Sequence, residues 1–270
     1  MTITLMPMGG ALDETRKPEV LMEFFRRAGG RDARILIFPQ ASARRDTGRE
    51  YVDLFKSFGA GDAVTLEFRA RADAGTSEQV DLIRNATGIF FSGGTQMRIS
   101  VTLGGSVLEP ELVAAYQRGC IVGGTSAGAS ILSKTMIADG KGGPSPRQGI
   151  VHFSAGLGFT DKFVFDQHFR QRDRLGRLMY AVATHPGTFG VGIDEDTAAI
   201  VEDDASVTVA GSGSVTIVDG SEIIATDVAD VENRGPVAIS NLRVHVLTNG
   251  CVFDGKTRLA SLPYKPLLVD

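Results

Sequence analysis

The sequence predicts an α/β fold built on a doubly wound, mostly parallel β-sheet. Short apolar runs alternate with amphipathic stretches through the first 130 residues, and the connections between them are short. One run, Ala33–Phe38, is apolar almost throughout, which is typical of a strand covered on both faces. A chain of 270 residues can bury a full core and is near the upper size of one such unit. We therefore expect residues 1–270 to form a single α/β domain.

Each element of the first half is predicted from its own pattern. Pro18 opens the first helix, whose apolar residues recur at helical spacing, and Gly29-Gly30 ends it. Asp46 is a candidate N-cap for the second helix. Strands are expected at Ile3–Met8, Ala33–Phe38, Val64–Phe68, Gly88–Phe91 and Cys120–Gly123, and further helices at Ser77–Arg84, Glu111–Arg118 and Ala127–Ser133.

The pattern changes after about Asp139. The glycine-rich stretch Gly140–Gln148 is expected to be a flexible surface loop, and a helix is expected at Gln171–Thr184. From Gly190 onward short strands and turns are predicted, with strands at Val207–Ala210, Val215–Val218, Arg243–Leu247 and Cys251–Phe253. Because no long polar linker precedes them, residues 200–270 are predicted to be a β-rich C-terminal extension of the same domain.

Composition and charge narrow the class of protein. The chain has 43% hydrophobic residues, 22% charged residues and a net charge of −4, so its charge gives no reason to expect a nucleic-acid or membrane partner. The first ten residues lack the pattern of a secretory signal, and no apolar run is long enough to span a membrane. Cys120 and Cys251 form no C-x-x-C pair, and the four histidines lack metal-ligand spacing. We therefore expect a cytoplasmic protein that uses no metal and no organic cofactor.

The segment Gly124-Thr125-Ser126-Ala127-Gly128 matches the G-x-S-x-G pattern of a nucleophilic serine. Such a serine needs a tight turn with small neighbours, so that its hydroxyl is exposed and a substrate can approach. A strand is predicted before it and a helix after it, and the N–H groups at the helix start, with Ala127 first, suit an oxyanion. The alternative is a glycine-rich turn that only packs closely.

A second glycine pair follows the predicted strand Gly88–Phe91. In a doubly wound sheet, neighbouring strands end at one crevice, so Gly93 and Gly94 would lie near Ser126. Their backbone N–H groups could form an oxyanion hole, and Gln96 could donate to a substrate carbonyl or carboxylate. The alternative is a purely structural turn.

Two polar segments in the second half supply the remaining chemistry. His168 is the histidine set among polar functional side chains, so it is the candidate base for a serine. Arg172, Arg174 and Arg177 follow it, and these guanidiniums either bind a substrate carboxylate or form a solvated basic face. The turn Asp194-Glu195-Asp196 offers a carboxylate for the second ring nitrogen of His168, or is simply an acidic hairpin tip.

Together these motifs look like those of the cyanophycinase branch of the serine peptidases related to dipeptidase E. The matching segments are GGTQ at 93–96, GGTSAGAS at 123–130, FDQHFRQRDRLGRL at 165–178 and GIDEDTA at 192–198, with Gly9-Gly10-Ala11 and Asp13 near the N-terminus. The resemblance spans roughly residues 3–200. It implies a fold similar to the class I glutamine amidotransferases, in which a cysteine replaces Ser126; the serine argues against a glutaminase.

The resemblance also implies roles for single residues. It makes Ser126 the nucleophile, His168 the base and Glu195 the third member of a triad. It places Gln96, Asp166, Gln167, Arg172, Arg174 and Arg177 at substrate-binding positions. Enzymes of this branch hydrolyse cyanophycin, multi-L-arginyl-poly-L-aspartate, to β-aspartyl-arginine dipeptides, and they are homodimers. We therefore expect a homodimeric serine exopeptidase that acts on this peptide polymer through an acyl-enzyme.

Two positions depart from the pattern of the branch. Thr95 stands where many members have aspartate, and Ser100 stands where a lysine is common. These changes bear on the choice between cyanophycin and related aspartyl or isoaspartyl peptides. An α-aspartyl dipeptidase is therefore a rival interpretation, and a non-catalytic binder of arginine- or aspartate-rich peptides is another.

Overall fold

A computed structural model describes residues 2–263 of the chain. The helices are α1 (Glu19–Arg27), α2 (Thr47–Ser57), α3 (Ser77–Asn85), α4 (Gln96–Leu103), α5 (Leu108–Gln117), α6 (Ala127–Ser130) and α7 (Leu175–Thr184). The strands are β1 (Thr4–Met8), β2 (Arg34–Phe38), β3 (Asp62–Thr65), β4 (Gly88–Phe91), β5 (Ile121–Thr125), β6 (Thr135–Gly140), β7 (Val151–Ala155), β8 (Phe163–Gln167), β9 (Phe189–Ile193), β10 (Thr197–Glu202), β11 (Ser206–Gly211), β12 (Ser214–Asp219), β13 (Ala225–Thr226), β14 (Ile239–Ser240), β15 (Arg243–Thr248), β16 (Val252–Asp254) and β17 (Leu259–Ser261).

The largest sheet has nine strands in the order β17-β16-β11-β10-β1-β5-β4-β2-β3. The strands from β1 to β3 in this order pair in parallel. On the other side of β1 the sheet continues with antiparallel strands. The predicted α/β class with a parallel central sheet is confirmed. Because β1, β4 and β5 are parallel neighbours, the loops that follow them meet at one edge, where the site lies.

Helices cover both faces of the parallel strands. On one face, Phe24 of α1 and Phe55 of α2 each pack against Phe90 of β4, with ring centroids 5.5 Å apart in both pairs. On the other face, Leu112 of α5 belongs to the same buried cluster as Phe91. This two-sided burial explains why β4 is apolar at successive positions.

A second sheet, in the order β15-β12-β9-β8, packs beside the main one. Phe165 and Ile217 from this sheet share a buried cluster with Phe253 of the main sheet. On its outer side, Leu178 of α7 packs in a separate cluster with Val164. β8 and β9 are parallel in this sheet, so their carboxyl ends lie side by side.

The strands after residue 200 complete both sheets. β11, β16 and β17 extend the nine-stranded sheet, whereas β12 and β15 belong to the second one. The β-rich character predicted for 200–270 is seen up to Ser261. Most of these strands pair with strands of the two sheets instead of forming a separate extension, whereas β13 and β14 pair with each other. The pattern of a strand does not state which neighbour it pairs with. The last seven residues of that predicted range lie outside the described ones.

Several predicted boundaries shift for identifiable reasons. The helix expected at Gln171–Thr184 begins only at Leu175, because Asp173 adopts a left-handed conformation with φ 49°. The strand expected at Val64–Phe68 begins at Asp62 and ends at Thr65. Its pairing with β2 ends at Thr65, opposite Ile37.

Two helices also differ from expectation. The helix α4 was not predicted, since its β-branched residues have weak helix propensity. Asp46 sits at the start of α2, but its side chain makes no capping bond and instead pairs with Arg44 at 3.2 Å. Among residues 2–263, no helix combines the length and apolar composition that a bilayer crossing requires.

Candidate active site

Ser126 lies at a sharp turn between a strand and a helix. β5 ends at Thr125 and α6 begins at Ala127, while Ser126 between them has φ 54° and ψ −110°. A positive φ is strained for a residue other than glycine, and such strain is typical of functional turns. The Ser126 N–H donates to the Met8 carbonyl at 3.0 Å, which fixes the turn against β1. The strand–turn–helix context expected for a nucleophilic serine is therefore present.

The glycine two residues after Ser126 is required by close packing. A β-carbon at Gly128 would lie only 2.2 Å from the carbonyl oxygen of Phe91. The start of α6 therefore rests directly on the end of β4. This contact brings the loop after β4 next to Ser126.

His168 follows β8 and faces Ser126. Its Nε2 lies 3.0 Å from the Ser126 Oγ, and its Nδ1 lies 2.6 Å from Oε1 of Glu195. Its backbone also has a positive φ of 45°, and its N–H donates to the Gly9 carbonyl at 2.8 Å. Hydroxyl, imidazole and carboxylate thus form one hydrogen-bonded chain. In this order a base can take the hydroxyl proton while the carboxylate holds its tautomer.

The acidic turn that contains Glu195 uses its three carboxylates differently. Asp194 accepts from the Arg170 N–H at 3.0 Å and from the Ser214 hydroxyl at 2.6 Å. Asp196 accepts from the Asp13 N–H at 3.0 Å. Both flanking carboxylates therefore stabilise the loop, and Glu195 alone reaches the imidazole.

Gln171 was not singled out in the sequence, yet it contacts the acidic turn. Its Oε1 accepts from the Glu195 backbone N–H at 3.2 Å. Gln171 lies in the short helical turn Arg170–Arg172 after His168. The histidine segment and the acidic turn are therefore joined by two hydrogen bonds, this one and the one between His168 and Glu195. The sequence signal was its place in the matching segment at 165–178, three residues after His168, although the resemblance assigned it no role.

The environment of His168 lowers the pKa of its imidazole below the usual value of 6.5. Burial is the largest cause, because it disfavours the charged ring. The Glu195 carboxylate opposes this effect, whereas the positive charges of Arg172 and Arg174 add to it. A lowered pKa keeps the ring neutral near pH 7, which is the form that a general base needs.

We expect Arg172→Gln to move the acidic limb of the kcat/KM–pH profile to higher pH. Removing a positive charge near His168 makes the imidazolium easier to form, so its pKa rises and the active neutral form is lost earlier on acidification. A shift of about 0.2–0.5 of a pH unit is reasonable for an exposed charge, and added salt should reduce it. Arg170→Gln removes the same charge two residues away and should shift the limb less. An unchanged profile, or a shift to lower pH, would contradict this electrostatic role.

Gly10 packs against the imidazole of His168. A β-carbon there would lie 2.4 Å from Cε1 and 2.5 Å from Nε2 of His168. The residue also has a φ of 96°, so only glycine fits both the backbone and the ring. Gly10 further accepts, through its carbonyl, from the Asp196 N–H at 2.9 Å. The glycine pair after β1 thus sets the position of His168.

Gly10→Ala is expected to lower kcat/KM by about 100-fold or more, since displacing a catalytic group by about 1 Å has effects of that order. Gly59→Ala is the matched control, because Gly59 has a φ of 95° and open space around its α-carbon. Both variants carry the same backbone strain, so the loss of stability of Gly59→Ala in thermal denaturation measures that strain, and any further loss in Gly10→Ala measures the clash with His168. Equal activity of the two variants would contradict the proposed steric role of Gly10.

Three backbone N–H groups near Ser126 were predicted to form an oxyanion hole. Within residues 2–263, the N–H groups of Gly93, Gly94 and Ala127 donate to no backbone or side-chain acceptor. A β-carbon at Gly93 would lie 3.5 Å from Cβ of Ser126, so Gly93 borders the nucleophile. Gly94 is turned toward Ala41, whose carbonyl oxygen would lie 2.1 Å from a β-carbon there. Gly93 thus borders Ser126, and Ala127 follows it in sequence, so both free N–H groups are candidates to stabilise an oxyanion; the same role for Gly94 stays a prediction.

The two predicted glutamines occupy different positions. Gln167 is buried, and its Oε1 lies 3.4 Å from the Ser126 Oγ. Gln96 donates through its amide nitrogen to the carbonyls of Ile137 and Ala138, at 3.0 and 2.6 Å. That nitrogen is already used, so Gln96 offers a ligand its oxygen, an acceptor, and not the donor that the sequence suggested.

Asp166, Arg174 and Arg177 form a buried ionic cluster beneath the site. The Asp166 carboxylate accepts from Arg177 Nε at 2.7 Å, from Arg174 Nη1 at 3.3 Å and from the Gln167 N–H at 2.9 Å. Arg177 also donates to the Gly140 carbonyl at 3.1 Å. The charges of Asp166 and Arg177 are therefore occupied by each other. The structure gives these residues a role in positioning Gln167 and loop 140–148. Their contact with substrate stays a prediction.

Arg172 is the predicted guanidinium that remains exposed. Among residues 2–263 its side chain forms no ion pair, so it is available to a ligand carboxylate.

The described part of the chain, residues 2–263, contains no group of three His, Cys, Asp or Glu side chains arranged to hold a metal ion. Chemistry without a metal therefore stays a prediction that rests on the Ser126–His168–Glu195 arrangement.

Comparisons with known proteins point in one direction. The sequence model of peptidase family S51 matches residues 3–209. A cyanophycinase from Synechococcus elongatus is 42% identical over 255 residues, covering 94% of this chain and 79% of that protein. A cyanophycinase from Geminocystis herdmanii is 38% identical over 257 residues, covering 94% of each.

Solved structures resemble the fold at lower identity. A crystal structure of a peptidase from an acI-B1 Actinobacterium has a TM-score of 0.64 and 20% sequence identity, covering 93% of this chain and 96% of that one. A putative peptidase E protein from Listeria monocytogenes has a TM-score of 0.53 and 15% identity, covering 79% and 100%. At these identities the likeness concerns the fold alone.

Proposed function

This chain belongs to peptidase family S51, and we propose that it is a serine exopeptidase that hydrolyses cyanophycin to β-aspartyl-arginine dipeptides. The observation that carries the mechanism is the continuous chain from Ser126 Oγ through His168 to Glu195, with separations of 3.0 and 2.6 Å. The substrate is proposed from the relatives named cyanophycinase, which are 38–42% identical over more than nine-tenths of this chain.

The proposed reaction has two halves. In the first, Nε2 of His168 takes the proton of Ser126 as its Oγ bonds to the scissile carbonyl carbon, and the carbonyl electron pair moves onto oxygen. The N–H groups of Gly93 and Ala127 donate to that oxyanion. Collapse of the intermediate breaks the C–N bond, and His168 gives its proton to the leaving amine. In the second half, His168 takes a proton from water, which attacks the acyl-enzyme, and returns it to Ser126.

The substrate contacts that we propose are narrower than the sequence suggested. Arg172 is the exposed guanidinium beside the base, so it is assigned to a substrate carboxylate. Gln96 keeps a free amide oxygen that suits an N–H donor. Gln167, beside Ser126, is assigned to the group next to the scissile bond.

Other features of the family are proposed on the same basis. We propose that the arrangement around the elbow corresponds to that of class I glutamine amidotransferases, with Ser126 in the place of their cysteine. A single domain, a homodimeric assembly and a cytoplasmic location are also proposals, and analytical ultracentrifugation tests the assembly. Loop 140–148 is docked, through Arg177 and the Gly140 carbonyl, to the cluster beneath the site.

A panel of substrates tests the function. We expect the protein to release β-aspartyl-arginine from cyanophycin and to turn over α-Asp-X dipeptides at least about tenfold more slowly. A site that binds a guanidinium or carboxylate discriminates strongly against ligands that lack it, because its polar groups are then left unpaired. β-Asp-Lys material should be included, since Ser100 replaces the lysine common in the branch; its hydroxyl donates to the Ala155 carbonyl at 3.1 Å.

The products can be separated by chromatography and identified by mass. Rapid turnover of Asp-X dipeptides without any cleavage of the polymer would instead support the aspartyl dipeptidase interpretation.

A further inference from the structure

A basic pocket lies at the same edge of the main sheet as Ser126. It has a volume of about 510 Å³ and is formed by the loop after β2, the residues after β3, and α4. Its polar lining includes Gln40, Arg44, Arg45, Glu67, Arg69 and Arg98. None of these residues belongs to the triad or to the substrate contacts proposed above.

The charge of this pocket is unbalanced. Within residues 2–263, the guanidiniums of Arg45, Arg69 and Arg98 take part in no ion pair, and all three are exposed. Arg44 is the exception, since it pairs with Asp46 and Glu50. Three free guanidiniums facing one carboxylate, Glu67, favour an anionic ligand.

One buried polar atom in the lining is also unsatisfied. Gln40 is 9% exposed and donates to the Leu66 carbonyl at 2.9 Å, but its Oε1 has no hydrogen-bond partner among the described residues. An unpaired buried acceptor is costly, so it favours an occupant or a water that carries an N–H or O–H donor. The pocket therefore suits a ligand with both carboxylates and N–H groups.

The pocket adjoins a smaller cavity that lies closer to Ser126. It shares Ser42 and Arg44 with that cavity of about 270 Å³, which is also lined by Glu14, Glu50 and Gly93. Gly93 in turn borders Ser126. Between Ser126 and the three guanidiniums the lining thus contains Glu14 and the ion pair of Arg44 with Glu50.

We propose that this basic pocket binds free carboxylates of substrate units that lie beyond the scissile bond. The proposal rests on the proposed function, because each β-aspartyl-arginine unit joins arginine through its amine and leaves that arginine a free carboxylate and a guanidinium. A chain of such units presents both charges, and the lining offers a partner for each: Glu14 in the smaller cavity and the three guanidiniums in the basic pocket. Planar guanidiniums bind carboxylates through paired hydrogen bonds. The pocket would then favour a polymer over a short substrate.

The double variant Arg69→Gln/Arg98→Gln tests the proposal. We expect kcat/KM for cyanophycin to fall about tenfold, whereas kcat/KM for a two-unit β-aspartyl-arginine oligomer stays within about twofold. The loss should lie mainly in KM, and raising the salt concentration should reduce the difference between variant and wild type. Arg31→Gln is the matched control, because Arg31 is an exposed arginine that precedes β2, at the opposite edge of the sheet.

A second measurement keeps the result independent of catalysis. In a Ser126→Ala background, the double variant should bind suspended cyanophycin more weakly than the parent in a sedimentation assay, and Arg69→Glu should weaken it further. Thermal denaturation checks that each variant is folded. If kcat/KM on the polymer is unchanged, or if polymer and oligomer lose equally, the basic pocket does not bind the distant units of the polymer. The proposed function would still stand in that case. A wild-type protein that releases no dipeptide from the polymer would instead contradict the proposed function itself.

Discussion

Ser126→Ala is expected to lower kcat on cyanophycin by about 10⁴-fold or more, with little change in substrate affinity. The hydroxyl supplies the attacking oxygen, and loss of a triad member typically has an effect of this size. Folding should be preserved, because the bend at Ser126 is fixed by its N–H bond to Met8 and by the contact of Gly128 with Phe91. Alanine also keeps the β-carbon, so packing near Gly93 does not change.

Ser130→Ala is the control for this variant. Ser130 is a buried serine in the same short helix, four residues further on, and its side chain has no hydrogen bond within residues 2–263. It should therefore retain nearly full activity. If Ser126→Ala keeps more than a few per cent of the wild-type rate, Ser126 is not the nucleophile.

His168→Ala is expected to lose activity to a similar extent, about 10⁴-fold or more. Among residues 2–263, no other side chain within hydrogen-bonding reach of the Ser126 Oγ can take its proton. Gln167 is the other contact of that oxygen, at 3.4 Å, and an amide is not a base. The loss should appear in kcat, since the imidazole acts on the serine and not on the bound polymer.

Glu195→Gln should lower kcat less, by about ten- to a hundredfold relative to wild type, since an orienting acid contributes less than the base that it holds. Asp194→Asn and Asp196→Asn separate this role from stability. Asp194 accepts hydrogen bonds from Arg170 and Ser214, so its variant should unfold at a lower temperature but keep kcat when folded. A normal kcat for Glu195→Gln, with kcat lost in either aspartate variant, would show that the orienting acid was assigned to the wrong residue.

The sequence was most informative where one residue type meets one chemical demand. The apolar runs predicted the strands of the parallel sheet because burial on both faces leaves few polar positions. The turn at Ser126 was predictable because a nucleophilic serine needs small neighbours. At Gly128 the structure shows the reason, since a β-carbon there would lie 2.2 Å from the carbonyl oxygen of Phe91. His168 was chosen from its polar surroundings, and its ring lies 3.0 Å from Ser126.

The sequence was least informative about side chains that bind each other. Asp166, Arg174 and Arg177 have the charges of a substrate pocket, and only the three-dimensional structure reveals that both guanidiniums donate to the one carboxylate. Gln96 likewise uses its amide nitrogen on β6, a strand that was not predicted. A sequence motif identifies polar residues near a site, but the hydrogen-bond partner of each polar group depends on the fold.

The acidic turn illustrates the same limit at closer range. Asp194, Glu195 and Asp196 are chemically similar neighbours, so charge alone leaves the orienting residue open. Their directions differ because Asp196 has a positive φ of 50°, which turns the chain between β9 and β10. The resemblance to a known branch assigned Glu195, and the distance of 2.6 Å to His168 agrees with that assignment.

Covalent labelling tests the central claim, nucleophilic catalysis by Ser126, most directly. The protein would be incubated with a serine-directed fluorophosphonate, and the modified peptide identified by mass spectrometry. We predict one adduct per chain, located on Ser126, with parallel loss of cyanophycin hydrolysis, and no adduct in Ser126→Ala. His168→Ala should be labelled far more slowly, because the hydroxyl then lacks its base. Full hydrolytic activity in a protein that the probe does not modify at Ser126, or an adduct on another residue that accounts for the loss, would contradict the account.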